Sequence, residues 1–292
     1  MTEIPRLNGV VAALEAGQRA FTTFTTADIQ SAVALSATRY DGIVFEMEHN
    51  PWDIGALRDS LQYMLNRAQI AAAGSVAPAV TPMVRIPPNG SERGQWHAKQ
   101  ALDLGVYGVV WPHVSSVEEA YNAVASCRYP RLKGAPLYEP AGVRGDGPRH
   151  AVRYWGLSQQ DYYRKADVWP LAPDGEIFVI LMIEDIAGIE NLADMLDNVP
   201  GIGAVLIGEG DLSQELGFPR QYDHPEVRDA MARIVDTCIS RDVVVGHPHV
   251  DARNVERVLD EGYRFLMAAP ATLYAGLEKG LELSGRAEEG RS

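Results

Sequence analysis

A (β/α)8 TIM barrel, an α/β fold with a long inserted region after its fourth helix, is the class this sequence predicts, on three observations. Short, continuously apolar runs recur along the chain. Helix-patterned stretches separate them. The 292 residues suit a barrel that forms one unit of about 250 residues plus extensions. The runs are Ala20–Thr25, Gly42–Glu48, Pro78–Ile86, Gly108–His113, Ile177–Glu184, Ala204–Gly208, Val243–Val250 and Phe265–Ala269, which makes eight. Most lack the alternation of a half-exposed strand, so both faces are covered, as in a parallel sheet.

The connecting helices show their own start signals. Asp53–Asn66 opens on an N-cap aspartate, with Ile54, Leu57, Leu61 and Met64 following on one face. Ser116–Ala125 begins Ser-Val-Glu-Glu, which pairs Ser116 with Glu119 in a capping box. Pro225–Ser240 and Asp251–Glu261 carry similar patterns. An open doubly wound sheet is the competing architecture, but no Gly-x-Gly-x-x-Gly turn follows the first run. One domain over 1–292 is therefore expected. The stretch 129–175 breaks the rhythm, being rich in Pro, Gly, Arg and Tyr, with one short helix at Ser158–Ala166. A charged, Gly-containing tail over 285–292 is expected to be disordered.

Composition narrows the function classes. The formal net charge is −13, and no basic stripe is present, which argues against a nucleic-acid partner. Mean hydropathy is −0.13, and no apolar run is long enough to cross a membrane. The first residues lack the apolar core of a signal peptide, so a cytoplasmic location is expected. Cys127 and Cys238 lie far apart and read as buried apolar side chains rather than a disulfide or zinc site. An anionic substrate would need local positive charge, from an arginine or a metal.

In a barrel, catalytic groups gather at the C-terminal ends of the strands. The second run ends Phe45-Glu46-Met47-Glu48-His49, which places two carboxylates on one side of the strand and an imidazole in the loop. They could form an acid/base pair or be solvated loop acids. The third ends Met83-Val84-Arg85, whose arginine either grips a carboxylate in the mouth or makes a structural ion pair. The fifth and sixth deliver Glu184 and Asp211. Two acids from neighbouring strands suit a hard cation held by oxygen ligands, or they cap the helices that follow. His113, His247 and His249 also stand near strand ends, open to ligation, substrate contact or packing.

Taken in order, FEMEHNPWD (45–53), MVRIP (83–87), KQALDLGVYGVVWPHVSSVEEA (99–120), GVRG (142–145), MIEDIAGIEN (182–191) and IGEGDLSQELGFP (207–219) resemble the HpcH/HpaI family of class II pyruvate aldolases. The resemblance implies a divalent cation (Mg, Mn or Co) on Glu184 and Asp211, with Arg85 beside the keto oxygen of a 2-oxo acid. It further implies His49 in acid/base work with Glu46 as partner, and Asp103 approaching a neighbouring subunit's site. The backbone of Gly208, Glu209, Gly210 and Asp211 would hold the substrate carboxylate. The implied reaction is reversible cleavage of a 4-hydroxy-2-oxo acid to pyruvate and an aldehyde, by a homo-oligomer that in relatives is a hexamer. Departures stand at Glu46 (commonly Asp), Met182 (often Gln) and Glu209 (often Pro). The competing functions are a decarboxylase or lyase of oxaloacetate-like or CoA-thioester substrates, and a non-catalytic barrel that binds 2-oxo acids. No strand end carries a lysine, which argues against Schiff-base chemistry.

Overall fold

Parallel strands closed on themselves set the architecture. The computed structural model describes residues 4–87, 90–268 and 275–286. Its strands are β1 (Ala20–Thr25), β2 (Gly42–Glu46), β3 (Thr81–Arg85), β4 (Gly108–Trp111), β5 (Val168–Trp169), β6 (Ile177–Ile183), β7 (Ala204–Ile207), β8 (Val244–Val250) and β9 (Phe265–Ala268). The order β4-β3-β2-β1-β9-β8-β7-β6 is closed by a β4–β6 pairing, which makes a barrel of 8 strands. The two-residue β5 adds a short parallel pairing at the start of β6.

Helices surround the barrel and close one end of it. They are α1 (Gly9–Glu15), α2 (Ile29–Leu35), α3 (Ile54–Met64), α4 (Arg67–Ala73), α5 (Gln95–Leu104), α6 (Val117–Ser126), α7 (Arg149–Trp155), α8 (Gln159–Lys165), α9 (Ile186–Asn198), α10 (Glu209–Glu215), α11 (Pro225–Ile239), α12 (Val255–Asp260) and α13 (Ala275–Leu283). Asp53 and Ser116 cap α3 and α6 as the sequence predicts. The return bond of the α6 box differs: Glu119 accepts from the N–H of Ser115 at 2.8 Å. α12 starts later than expected, because Asp251 accepts from the N–H groups of Arg253 and Asn254 and forms a turn where the first helical turn would be.

Two apolar layers follow from strand geometry, in which alternate residues face opposite sides. Val44, Met83, Val110, Phe178, Ile180, Met182, Leu206, Val244 and Phe265 fill the barrel interior. The intervening residues, such as Ile43, Phe45, Val84 and Val179, pack against the helices. α1 plugs the N-terminal end of the barrel with Val10, Val11 and Leu14. A Cβ at Gly42 would come within 2.7 Å of the Val10 side chain, so the close approach of plug and strand requires glycine there.

The 129–175 stretch is built around a buried ion pair. It holds α7, α8 and β5. Arg128, 1% exposed, donates from Nε to Asp167 Oδ1 at 2.7 Å and from Nη2 to Asp167 Oδ2 at 3.1 Å. Its remaining N–H groups reach the carbonyls of Leu137 and Pro140, each at 2.7 Å. Of the expected tail, Gly285 and Arg286 are described, and Arg286 is buried with both carboxylate oxygens of Asp41 in reach. Residues 287–292, like Ala269 at the predicted end of the last strand, lie outside the described residues. Among the described residues no helix is long and apolar enough to cross a membrane.

Burial alone would raise the Asp167 carboxyl, but Arg128, the Val168 N–H and Arg131 outweigh it and hold it below the ordinary carboxylate range. Its stabilisation is therefore complete above the unfolded value of about 4 and is lost as pH falls through the lower folded value. Asp167→Asn should lower stability by about 3–5 kcal/mol at pH 7. Urea unfolding should show the deficit shrinking below about pH 4. A deficit independent of pH would assign the loss to packing instead.

Candidate metal centre and active site

Strand parity decides which polar groups enter the barrel mouth. Val44, Met83 and Met182 face the interior, so Glu46, Arg85 and Glu184, each two residues on, face it too. Strand β2 stops at Glu46, two residues before the predicted end. Glu46 Oε1 accepts from the N–H groups of Glu48 at 2.8 Å and His49 at 3.1 Å, which turns the chain there. Glu48 therefore does not share a strand face with Glu46, yet both acids reach Arg85.

Arg85 is held on four sides. Its Nε donates to Glu46 Oε2 at 2.6 Å, and Nη2 pairs with the same oxygen. Nη1 lies 3.0 Å from Glu48 Oε2 and donates to Met182 Sδ at 3.6 Å. Phe24 lies 4.6 Å from the guanidinium carbon, with its ring face toward it. Met182 thus contributes a weak acceptor in its own right. Glu46 was the expected partner of His49, but its carboxylate belongs to Arg85 and to the turn. The carboxylate beside the imidazole is Glu48, 3.6 Å from His49 Nε2. Burial pushes Glu48 up to about 6, against the pull of Arg85 and with the push of Glu184.

Glu184 and Asp211 do come together. With His113 they form a group whose ligand atoms all lie within 4.8 Å of one another. Ligands of one magnesium-sized ion stand roughly 3–4 Å apart, so small side-chain movements suffice. Neither acid caps a helix through its side chain. That role falls to Asp185, which accepts from the Gly188 N–H and Ser115 Oγ, each at 2.5 Å. Glu184 is 3% exposed and accepts from the His113 N–H at 2.8 Å. Burial pushes its carboxyl up to about 7; the His113 N–H opposes this and Asp211 adds to it. Two facing carboxylates with little water suit a bound cation, whose charge would hold both ionised. Gly208 makes room for them: a Cβ there would stand 2.1 Å from Glu184 Oε2.

Other expected residues go elsewhere. Glu209 carries its carboxylate away from this group, with Oε1 2.5 Å from His249 Nδ1 and Oε2 4.0 Å from His247 Nε2. Of residues 208–211, Asp211 joins Glu184 through its side chain and Gly208 lies against the Glu184 carboxylate. Burial pushes His247 down to about 4, against the influence of Glu209, and keeps it neutral. A cavity of about 980 Å³ lies beside these histidines, between α11 and α12 rather than over the Glu184 group. Asp103 sits in the last turn of α5, toward the opposite end of the barrel, and pairs with Arg144 at 2.9 Å. Cys127 and Cys238 are buried, and burial pushes both thiols up to about 12.

Sequence reasoning had no reason to single out Phe24. The signal available was parity: Ala20 is interior, and Phe24 follows at an even spacing toward the mouth. His113, open in the sequence to ligation, substrate contact or packing, stands with the two acids, and its place at the end of β4, next to β6, is the signal for it.

The family model HpcH/HpaI aldolase/citrate lyase matches residues 21–270. A hydroxypyruvate/pyruvate aldolase of Roseobacter denitrificans is 29% identical over 265 residues, 90% of this chain and 91% of that protein. A 4-hydroxy-2-oxo-heptane-1,7-dioate aldolase of Salmonella dublin is 32% identical over 209 residues, 72% of this chain and 67% of the relative. Among solved structures, an HpcH/HpaI aldolase/citrate lyase family protein from Burkholderia cenocepacia is similar with a TM-score of 0.73 and 25% identity, over 96% of this chain and 97% of that one.

If Gly208 is required by space at the Glu184 carboxylate, Gly208→Ala should weaken Mn2+ binding at least tenfold, in the range of displaced supporting contacts. Isothermal calorimetry measures it. Unchanged affinity in a folded variant would remove Glu184 from the ligand set.

Proposed function

The chain belongs to the HpcH/HpaI aldolase/citrate lyase family, and on that premise we propose that it is a divalent-metal-dependent aldolase that reversibly cleaves a 4-hydroxy-2-oxo acid to a pyruvate-type acid and an aldehyde. The observation that carries this reading is the pairing of two features at one barrel mouth: the Glu184–Asp211–His113 group and an arginine fixed by two carboxylates. The relatives' names, which join pyruvate, hydroxypyruvate and 4-hydroxy-2-oxo acids, support the substrate class.

Glu184 and Asp211 would hold the cation, with His113 as a third donor; Mg, Mn and Co all suit this set. Bound there, the cation supplies Lewis acidity toward the keto group of the 2-oxo acid. The residues do the rest. Arg85 presents a permanent charge where negative charge develops on the keto oxygen. Its position is set beforehand by Glu46, Glu48, Met182 and Phe24, so little reorganisation accompanies the reaction. The backbone of Gly208–Asp211 orients the substrate carboxylate. His49, beside Glu48 and open to water, takes the proton of the 4-hydroxyl through a water molecule as the carbon–carbon bond breaks. The carbon freed by the cleavage then takes a proton, which balances the one His49 removed, and the aldehyde and the pyruvate-type acid leave. The four lysines, Lys99, Lys133, Lys165 and Lys279, stand on helices or a loop and not at strand ends, so no Schiff base enters. A homo-oligomer in which Asp103 faces a neighbouring subunit is part of the same reading.

Pyruvate in D2O should exchange its methyl protons in the presence of Mg2+ or Mn2+, as followed by NMR. EDTA and Asp211→Ala should abolish the exchange. Arg85→Ala should slow it about 10²–10³-fold, the usual cost of removing one preorganised donor, with the fold intact by circular dichroism. Exchange at an unchanged rate in Arg85→Ala would refute the role given to that side chain.

A further inference from the structure

The turn that carries Asp211 is fastened on its far side. Glu209 and Asp211 are the first and third residues of α10. Residues two apart in a helix are rotated by about 200°, so their carboxylates leave the turn in nearly opposite directions. Asp211 joins Glu184 and His113. Glu209, 3% exposed, lies against β8.

The contacts there form one connected set. A carboxylate only accepts, so His249 Nδ1 holds the hydrogen shared with Glu209 Oε1 at 2.5 Å. The His249 backbone N–H donates to His247 Nδ1 at 3.2 Å. His247 therefore carries its hydrogen on Nε2, the nitrogen that faces Glu209 Oε2 at 4.0 Å. Asn254 Nδ2 donates to the His249 carbonyl at 2.8 Å, and the Tyr222 ring stacks on the His249 ring at 5.9 Å. Both histidines belong to a barrel strand, so the set joins the turn to the rigid sheet. Gly208 gives α10 no side-chain cap, which leaves the turn dependent on such outside support.

We propose that Glu209 is a positioning residue for Asp211: its bond to His249 fixes the rotation of the first turn of α10 and thereby sets where the Asp211 carboxylate stands relative to Glu184. The inference rests on Glu184 and Asp211 being cation ligands, but it concerns two side chains that do not touch the cation. It also gives Glu209 a reason to be buried. A carboxylate in that place costs several kcal/mol in lost hydration, and the hydrogen bond from His249 Nδ1 offsets part of that cost.

The test is Mn2+ affinity of the full-length protein, read by electron paramagnetic resonance of free Mn2+ rather than by turnover. Glu209→Ala and His249→Ala should each weaken binding about 10–100-fold, the range for groups that support a ligand without touching the metal. The double variant should be no weaker than the worse single one, because one contact is being removed twice. Glu209→Gln, whose amide oxygen still accepts from His249 Nδ1, should keep most of the affinity. Tyr222→Phe, which leaves the Glu209 bond untouched, should bind as the unaltered chain does. His249 is partly exposed, so His249→Ala decides the matter if Glu209→Ala fails to fold. Affinities within twofold of the unaltered chain, or losses that add in the double variant, would overturn the inference alone. Failure of the unaltered chain to bind Mn2+ would overturn the ligand set itself, and the positioning role with it.

Discussion

Two carboxylates meet where water is scarce, and the architecture of the barrel mouth depends on that confrontation. Glu184 is buried, and Asp211 faces it from the next strand's turn. Burial of like charges raises the cost of ionising either one. Two features of the chain limit that cost. The His113 backbone N–H binds one oxygen of Glu184, and glycine at 208 lets the carboxylate lie against bare backbone. What remains is a pair of acids that, in the proposed reading, a hard divalent cation would hold ionised. Arg85 stands on β3, separated from β6 only by β4, where it pairs with Glu46 and Glu48 and reaches Met182 of β6. Its guanidinium is thus fixed beside the Glu184 group, where burial raises the carboxyl and Arg85 helps to hold it down. The proposed chemistry draws on that closeness, with one positive centre held by two acids and a second offered by an arginine that two other acids position.

Much of this was legible in the sequence because strand periodicity is strict. Once the apolar runs are read as barrel strands, a residue two past an interior position must be interior, and Glu46, Arg85 and Glu184 fall at the mouth without further assumption. The eight main runs appear as barrel strands, the first with its predicted bounds and six of the others with trimmed ends. The trimming has local causes. The Glu46 side chain captures the next two N–H groups and ends β2 early. An Asp251–Asn254 turn delays α12.

Side-chain partnership was much less legible. Spacing placed Glu46, Glu48 and His49 together but could not say which acid serves the arginine and which the imidazole. That depends on a turn of a single residue, and Glu46 went to Arg85. Glu209 illustrates the same limit. From sequence it is an extra acid two residues before Asp211. Only the helical turn beginning at Gly208 shows that it points away, toward histidines some 40 positions later in the chain. The plug helix α1 and the Arg128–Asp167 pair depend likewise on contacts between segments far apart in sequence, for which local patterning holds no signal.

The proposed chemistry at this mouth depends on where a cation binds. Crystals grown with Mn2+ and pyruvate, examined by anomalous scattering at the manganese edge, would locate it directly. The expected result is one Mn2+ peak per chain, within coordination distance of Glu184 and Asp211, with pyruvate beside it and the Arg85 guanidinium turned to the keto oxygen. A peak at Glu209 and His249 instead, or pyruvate bound with no peak between Glu184 and Asp211, would contradict it.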